Sequence, residues 1–100
     1  MWQAIVLGLV AGVLGGNAVP HFVAGITRRS YPNLMGNGPV PNLVSGWVGL
    51  VATGLLWHWA DTAGHDGWAL GAAAAGVLLI GLFHAGPGAF GRPARGERPA

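Results

Sequence analysis

The chain has 100 residues, which is enough for a single domain. Only 8% of the residues are charged, whereas a typical soluble domain carries about 25%, and the mean hydropathy is +0.51. Because so few charges cannot cover the surface of a small soluble protein, the composition predicts an integral membrane protein. The absence of cysteine excludes disulfides, thiolate metal sites and cysteine nucleophiles.

The positive net charge does not indicate a nucleic-acid-binding protein. The formal charge is +2 and the pI is near 10.6. All the cations are arginines, and they form two small groups, each beside a hydrophobic segment: Arg28 and Arg29, then Arg92, Arg95 and Arg98. This distribution is typical of membrane topology signals rather than of a phosphate-binding face. We therefore expect the lipid bilayer, and no nucleic acid, as a partner.

Three apolar segments are long enough to cross a bilayer core of about 30 Å, which takes roughly 20 helical residues. They cover about residues 1–26, 43–60 and 67–85. The sequence between the first two, "TRRSYPNLMGNGPVPN", is rich in Pro, Gly and Asn and predicts a turn. A short polar segment, "DTAGHDG", joins the last two.

The expected fold class is therefore an all-α membrane protein with three transmembrane helices. The helical domain is predicted over residues 1–86. Residues 87–100 have no apolar periodicity and are predicted to form a disordered cytoplasmic tail.

The arginine distribution also predicts the orientation. The loop after the first span carries Arg28 and Arg29, and the tail carries Arg92 and Arg95, whereas the loop between the second and third spans has no arginine. Positively charged loops stay in the cytoplasm, and three spans place the first loop and the tail on the same side. We expect the N-terminus outside and the C-terminus inside, in a bacterial inner membrane.

Small residues recur at four-residue intervals in each span. Residues at this spacing share one helix face, and small side chains let helix backbones approach closely in lipid. The positions predicted to pack are Gly8, Gly12 and Gly16 in the first span, Ser45, Gly49 and Thr53 in the second, and Gly67, Gly71 and Ala75 in the third. The alternative is that glycine and alanine are simply abundant in this sequence.

A polar triplet, Asn17, Pro20 and His21, interrupts the first span. Pro20 has no N–H to donate to the carbonyl of Gly16, which predicts a kink. Position 20 lies roughly 29 Å along the helix axis, near the inner membrane boundary. In the structural interpretation, Asn17 supplies a hydrogen bond to the carbonyl that Pro20 leaves without a donor or to a neighbouring helix. His21 then anchors at the membrane interface. The alternative is a functional, proton-coupled polar site.

The segment "GNAVPHFVAGITRRSYPN" resembles the start of a group of small, uncharacterised bacterial membrane proteins with three spans. These share G-N-x-x-P-H-F-x-x-G-[IV], followed by a basic turn with an aromatic residue before proline. The match covers roughly residues 15–50 and includes Gly16, Asn17, Pro20, His21, Phe22, Gly25 and Ile26. The resemblance implies that the polar triplet is a common feature of these proteins, and it implies no particular activity.

Catalytic motifs are missing from the sequence: there is no Ser/His/Asp set, no paired carboxylate inside a span, no P-loop and no dinucleotide fingerprint. We expect no enzymatic activity, no cofactor and no metal. Although His21 and His84 fall at similar depths, no intramembrane carboxylate would support a metal or haem between them.

Two classes of function remain. The first is a structural or accessory subunit that packs against copies of itself or against a larger membrane complex. The second is a permeation or transport protein for a small solute, an ion or protons. It would have to oligomerise, because three helices cannot enclose a pore. Its candidate polar lining would be Asn17, His21, Ser45 and Thr53.

Overall fold

A computed structural model describes residues 1–60 and 64–86 of the chain. In this part the chain forms three helices, α1 (Trp2–Ile26), α2 (Pro39–Trp59) and α3 (Asp66–Ala85). Each is long and apolar enough to cross a membrane, which confirms the all-helical class with three candidate spans. The segment 87–100, with Arg92 and Arg95, lies outside the described residues, so its disorder and its topological role stay predictions.

The second helix begins earlier than predicted. Residues 39–42 were expected in the turn, but α2 starts at Pro39 and is preceded by Gly38 as its N-cap. Proline fits the first helical turn because the N–H groups there have no carbonyl within the helix to bind. The backbone N–H of Asn42 already donates to the carbonyl of Gly38, across 3.2 Å. The Pro-rich segment therefore opens a helix instead of ending a loop.

Helix α1 is the centre of the fold. It packs against both α2 and α3, whereas α2 and α3 do not pack against each other in the described residues. At one end, the Gln3 side-chain amide donates to the carbonyl of Trp59 across 2.7 Å, which joins the start of α1 to the end of α2. The result is an open arrangement in which α2 and α3 stand on separate sides of α1.

The interface between α1 and α3 uses the predicted glycine face of α1. A Cβ atom added at Gly8 would lie 2.8 Å from the carbonyl oxygen of Ala69. One added at Gly12 would overlap the backbone of Ala73, and one at Gly16 would meet the Ile80 side chain at 2.7 Å. Each distance is shorter than real Cβ contacts allow. The absence of side chains at these positions lets the two helices approach closely.

The residues that α3 contributes differ from those predicted. A Cβ at Gly67 or Gly71 would meet none of the described atoms within 4 Å, so neither glycine packs against α1. The contact is made instead by Ala69, Ala73 and Gly76, and Gly76 lies against the backbone of α1. Small residues occupy several faces of "GWALGAAAAG", so the four-residue spacing alone did not identify the face that meets α1.

At each of four contacts between α1 and α2, a glycine of one helix packs against a residue of the other helix. The contacts join Gly15 to Thr53, Ala18 to Gly49, Phe22 to Gly46 and Gly25 to Leu43. Gly49 and Thr53 thus lie where a packing face was expected. The hydroxyl of Ser45 accepts a hydrogen bond from the Asn33 side chain in the loop, across 3.1 Å.

Candidate functional site

The polar residues of α1 lie at the end of the fold that carries the loop 27–38. Helix α1 continues through Pro20, so the proline does not end the helix, and the expected kink there stays a prediction. After the helix, Arg28 adopts a left-handed conformation with φ of 59°, and the N–H of Arg29 donates back to the carbonyl of Ala24 across 2.8 Å. This closing turn reverses the chain and directs the loop over the helix ends.

Asn42 is the centre of the polar site, and the sequence did not identify it. It lies in the first turn of α2 with none of its surface exposed. The two N–H groups of its Nδ2 lie within hydrogen-bonding distance of three carbonyls, those of Tyr31, Asn37 and Gly38 at 3.0, 3.1 and 2.9 Å, so two of these acceptors share one N–H. These three acceptors fix the orientation of the amide, so Oδ1 faces Nδ1 of His21 at 2.6 Å and accepts a hydrogen bond from its N–H.

His21 connects α1 to both α2 and the loop. It is only 8% exposed, and so it is buried rather than anchored at an interface as predicted. Besides its bond to Asn42, its ring packs edge-to-face on Tyr31 with the centroids 5.0 Å apart. Tyr31 in turn lies 6.3 Å from the ring of His84 in α3. The loop therefore folds back between the two histidines and covers His21.

Asn17 connects α1 to the third helix. Its Oδ1 lies 3.0 Å from Nε2 of His84. Asn17 and His21 share a face of α1 but reach opposite neighbours, since Asn17 bonds to α3 and His21 to α2. Neither side chain bonds to the carbonyl that Pro20 leaves without a donor. The polar residues of α1 thus form hydrogen bonds to the neighbouring helices.

These side chains border a cavity of about 500 Å³ between α1, α3 and the loop, which we call the polar-ended cavity. Its polar lining comprises Asn17, His21, Asn33 and His84. The remaining lining is apolar and consists of Val10, Val13, Leu14, Pro32, Leu34, Met35, Ile80 and Phe83.

A second cavity of about 580 Å³ lies between α2 and α3, over the small residues of α1. Its floor includes Gly12, Gly15 and Gly16, and its walls include Leu50 and Val77. No ionisable side chain lines it. It exists because α2 and α3 are both attached to α1 and not to each other.

The residues expected to line a permeation path do not converge on one. Asn17 and His21 border the polar-ended cavity, whereas Thr53 borders the second cavity. Thr53 also donates to the carbonyl of Gly49 at 2.7 Å, and Ser45 is bonded to Asn33 in the loop. Every buried side-chain N or O atom of the described residues has a hydrogen-bond partner, and residues 1–60 and 64–86 contain no cluster of three potential metal ligands.

The chain matches no protein-family model, and no curated protein or solved structure shows significant similarity to it. The resemblance of its segment 16–26 to small bacterial membrane proteins stays a prediction. The function proposed below therefore rests on the geometry of the three helices and the loop.

Proposed function

We propose that the chain is a structural or accessory subunit of a membrane assembly and acts through helix packing. The observation that carries this proposal is the separation of α2 from α3. Three helices bury the most surface when each touches the other two, but here α1 makes both helix contacts. The sides of α2 and α3 that a closed bundle would join remain available to further helices.

Helix α3 offers the outer face best suited to a partner helix. A Cβ added at Gly71 or at Gly81 would meet none of the described atoms within 4 Å. Both glycines therefore lie on the outside of the fold. In lipid, bare glycines permit close backbone contact with another helix. The partner is a second copy of this chain or a larger membrane subunit.

The polar cluster favours the structural role over transport. Asn42 bonds to His21 and to three carbonyls of the chain itself, and Asn17 bonds to His84. These groups hold the helices and the loop together, and they do not form a polar path across the fold. The cluster thus stabilises the packing of the helices and the loop within one chain.

A test of the assembly uses Gly71→Leu, with Gly71→Ala as the matched control. Because Gly71 touches nothing in the described part of the chain, the leucine should change the free energy of unfolding in detergent by less than about 0.5 kcal/mol. It should nevertheless lower the mass of the native particle, measured by light scattering after purification at native expression. The alanine variant should keep the parental mass.

Two results would count against the proposed assembly. A parent protein that purifies as a monomer would contradict the proposal. A homogeneous ring that conducts a small solute would favour the permeation alternative.

The orientation belongs to the same proposal. We place the loop 27–38 and the C-terminus in the cytoplasm of a bacterium, with the fold in the inner membrane. The support is that Arg28 and Arg29 are both exposed at the loop end of the fold, where positively charged side chains hold a loop on the cytoplasmic side.

A reporter fused after Ala100 tests this orientation. An enzyme that is active only in the cytoplasm should be active on the parent chain. Replacing Arg28 and Arg29 together with glutamine should lower that activity, because the first loop then loses its positive charge. An externally active reporter at the same site of the parent chain would overturn the orientation.

A further inference from the structure

The geometry points to the polar-ended cavity as a binding site for a long-chain carboxylic acid. The carboxyl group would lie against Asn17 and His84, and the hydrocarbon chain would run along α1 away from the loop. This site is independent of the proposed assembly, because it lies within one chain.

The shape of the cavity fits an extended amphiphile. Along α1 it reaches from His21 to Val10, a span of roughly 16 Å at 1.5 Å per residue. Its volume of about 500 Å³ falls within the roughly 300–1,000 Å³ of small-molecule sites. The lining is apolar from Val10 to Leu14 on α1 and at Ile80 and Phe83 on α3. A ligand that fills it must therefore be apolar along its length and polar at one end.

The hydrogen-bonding groups at the polar end fit a carboxyl group. When Oδ1 of Asn17 accepts from Nε2 of His84, the Asn17 Nδ2 remains a donor with no other partner among the described residues, and the His84 Nδ1 remains an acceptor. A carboxylic acid supplies the complement, because its carbonyl oxygen accepts from Asn17 and its O–H donates to His84. Such a ligand therefore gives both side chains a hydrogen-bond partner.

The charge at this end favours an acidic head group. Arg28 and Arg29 lie in the loop at this end, while Asp66, the one carboxylate among the described residues, lies at the opposite end of α3. The loop residues Pro32 and Leu34 border the same end of the cavity. An ammonium head group would be repelled there by the two arginines.

Photolabelling of the full chain in phosphatidylcholine vesicles tests the site. The probe is hexadecanoic acid with a diazirine in its chain, and labelled peptides are mapped by mass spectrometry. We expect labels between Val10 and Leu14 and between Ile80 and Phe83. Unlabelled hexadecanoic acid should compete about tenfold better than its methyl ester, since the ester lacks the O–H donor.

Two valines on α1 provide a matched pair of variants. Both side chains are exposed, but Val10 lines the cavity whereas Val6 lies outside its lining. Val10→Phe should weaken labelling by narrowing the apolar end of the cavity, and Val6→Phe should leave it unchanged. Asn17→Leu should remove the preference for the acid over the ester, and the valine pair decides the question if that variant does not fold.

Three results would overturn the site. These are equal competition by the acid and the ester, unchanged labelling of Val10→Phe, and equally strong labelling of the cavity by a phosphatidylcholine that carries the same diazirine. The last result would show an ordinary bilayer lipid in the cavity. None of them bears on the mass of the native particle, so this proposal and the assembly fail separately.

Discussion

Gly12→Leu should destabilise the fold more than any other substitution of a small residue on α1. An added Cβ at Gly12 would overlap the carbonyl group and Cα of Ala73. These are backbone atoms, so no side-chain rotation can make room, and α1 must move away from α3. Inserting atoms into a packed contact typically costs about 1–3 kcal/mol and occasionally more. We expect a loss of about 3 kcal/mol, since a whole side chain must fit between two backbones.

The measurement is the free energy of unfolding in mixed detergent micelles, followed by circular dichroism. Gly71→Leu is the matched control, because it makes the same chemical change where an added Cβ meets none of the described atoms. Val6→Leu is a second control, at a position that is 53% exposed. If Gly12→Leu were as stable as the two controls, the packed glycine face of α1 would be wrong.

Asn42→Leu should be the second most damaging change. The leucine has a similar size but removes the acceptor of His21 and the donor to three carbonyls. A buried group left without a partner costs about 1–3 kcal/mol, and Nδ1 of His21 would be such a group. We expect a loss of about 3 kcal/mol together with release of the loop, because the amide no longer joins α2 to the carbonyls of Tyr31 and Asn37.

Trypsin cleavage after Arg28 and Arg29 reports the release of the loop. Asn42→Leu should be cut there much faster than the parent chain. The control is Ser45→Ala, one turn further along α2, which removes a single hydrogen bond to Asn33 and should cost less than about 1 kcal/mol. Parental cleavage rates and stability in Asn42→Leu would show that the loop is held by something other than this amide.

The sequence predicted the packing of α1 better than that of α3 for a physical reason. In α1 the glycines at 8, 12 and 16 repeat at every fourth position, which marks one face of the helix. In α3 the run "GAAAAG" makes several faces equally small. Which of these faces meets α1 depends on how α3 is oriented in the folded chain. The spacing of small residues carries no information about that orientation.

The polar site was predicted in part. Asn17 and His21 were identifiable because polar groups inside an apolar span are costly and need partners. Asn42 and Tyr31 were not, because polar residues in a loop or at the start of a helix are common and need no explanation. Their role arises from the return of the loop over the helix ends, which brings Tyr31 to both His21 and His84.

Cross-linking of introduced cysteine pairs tests the open three-helix arrangement most directly, and the chain has no cysteine of its own. A Cβ at Gly15 would lie 3.7 Å from the Cβ of Thr53, within the roughly 3.5–4.5 Å that a disulfide requires. Gly15→Cys with Thr53→Cys should therefore close a disulfide within one chain. Leu50→Cys with Val77→Cys, on opposite walls of the second cavity, should not. Efficient closure of the second pair within one chain would place α2 against α3 and contradict the open arrangement.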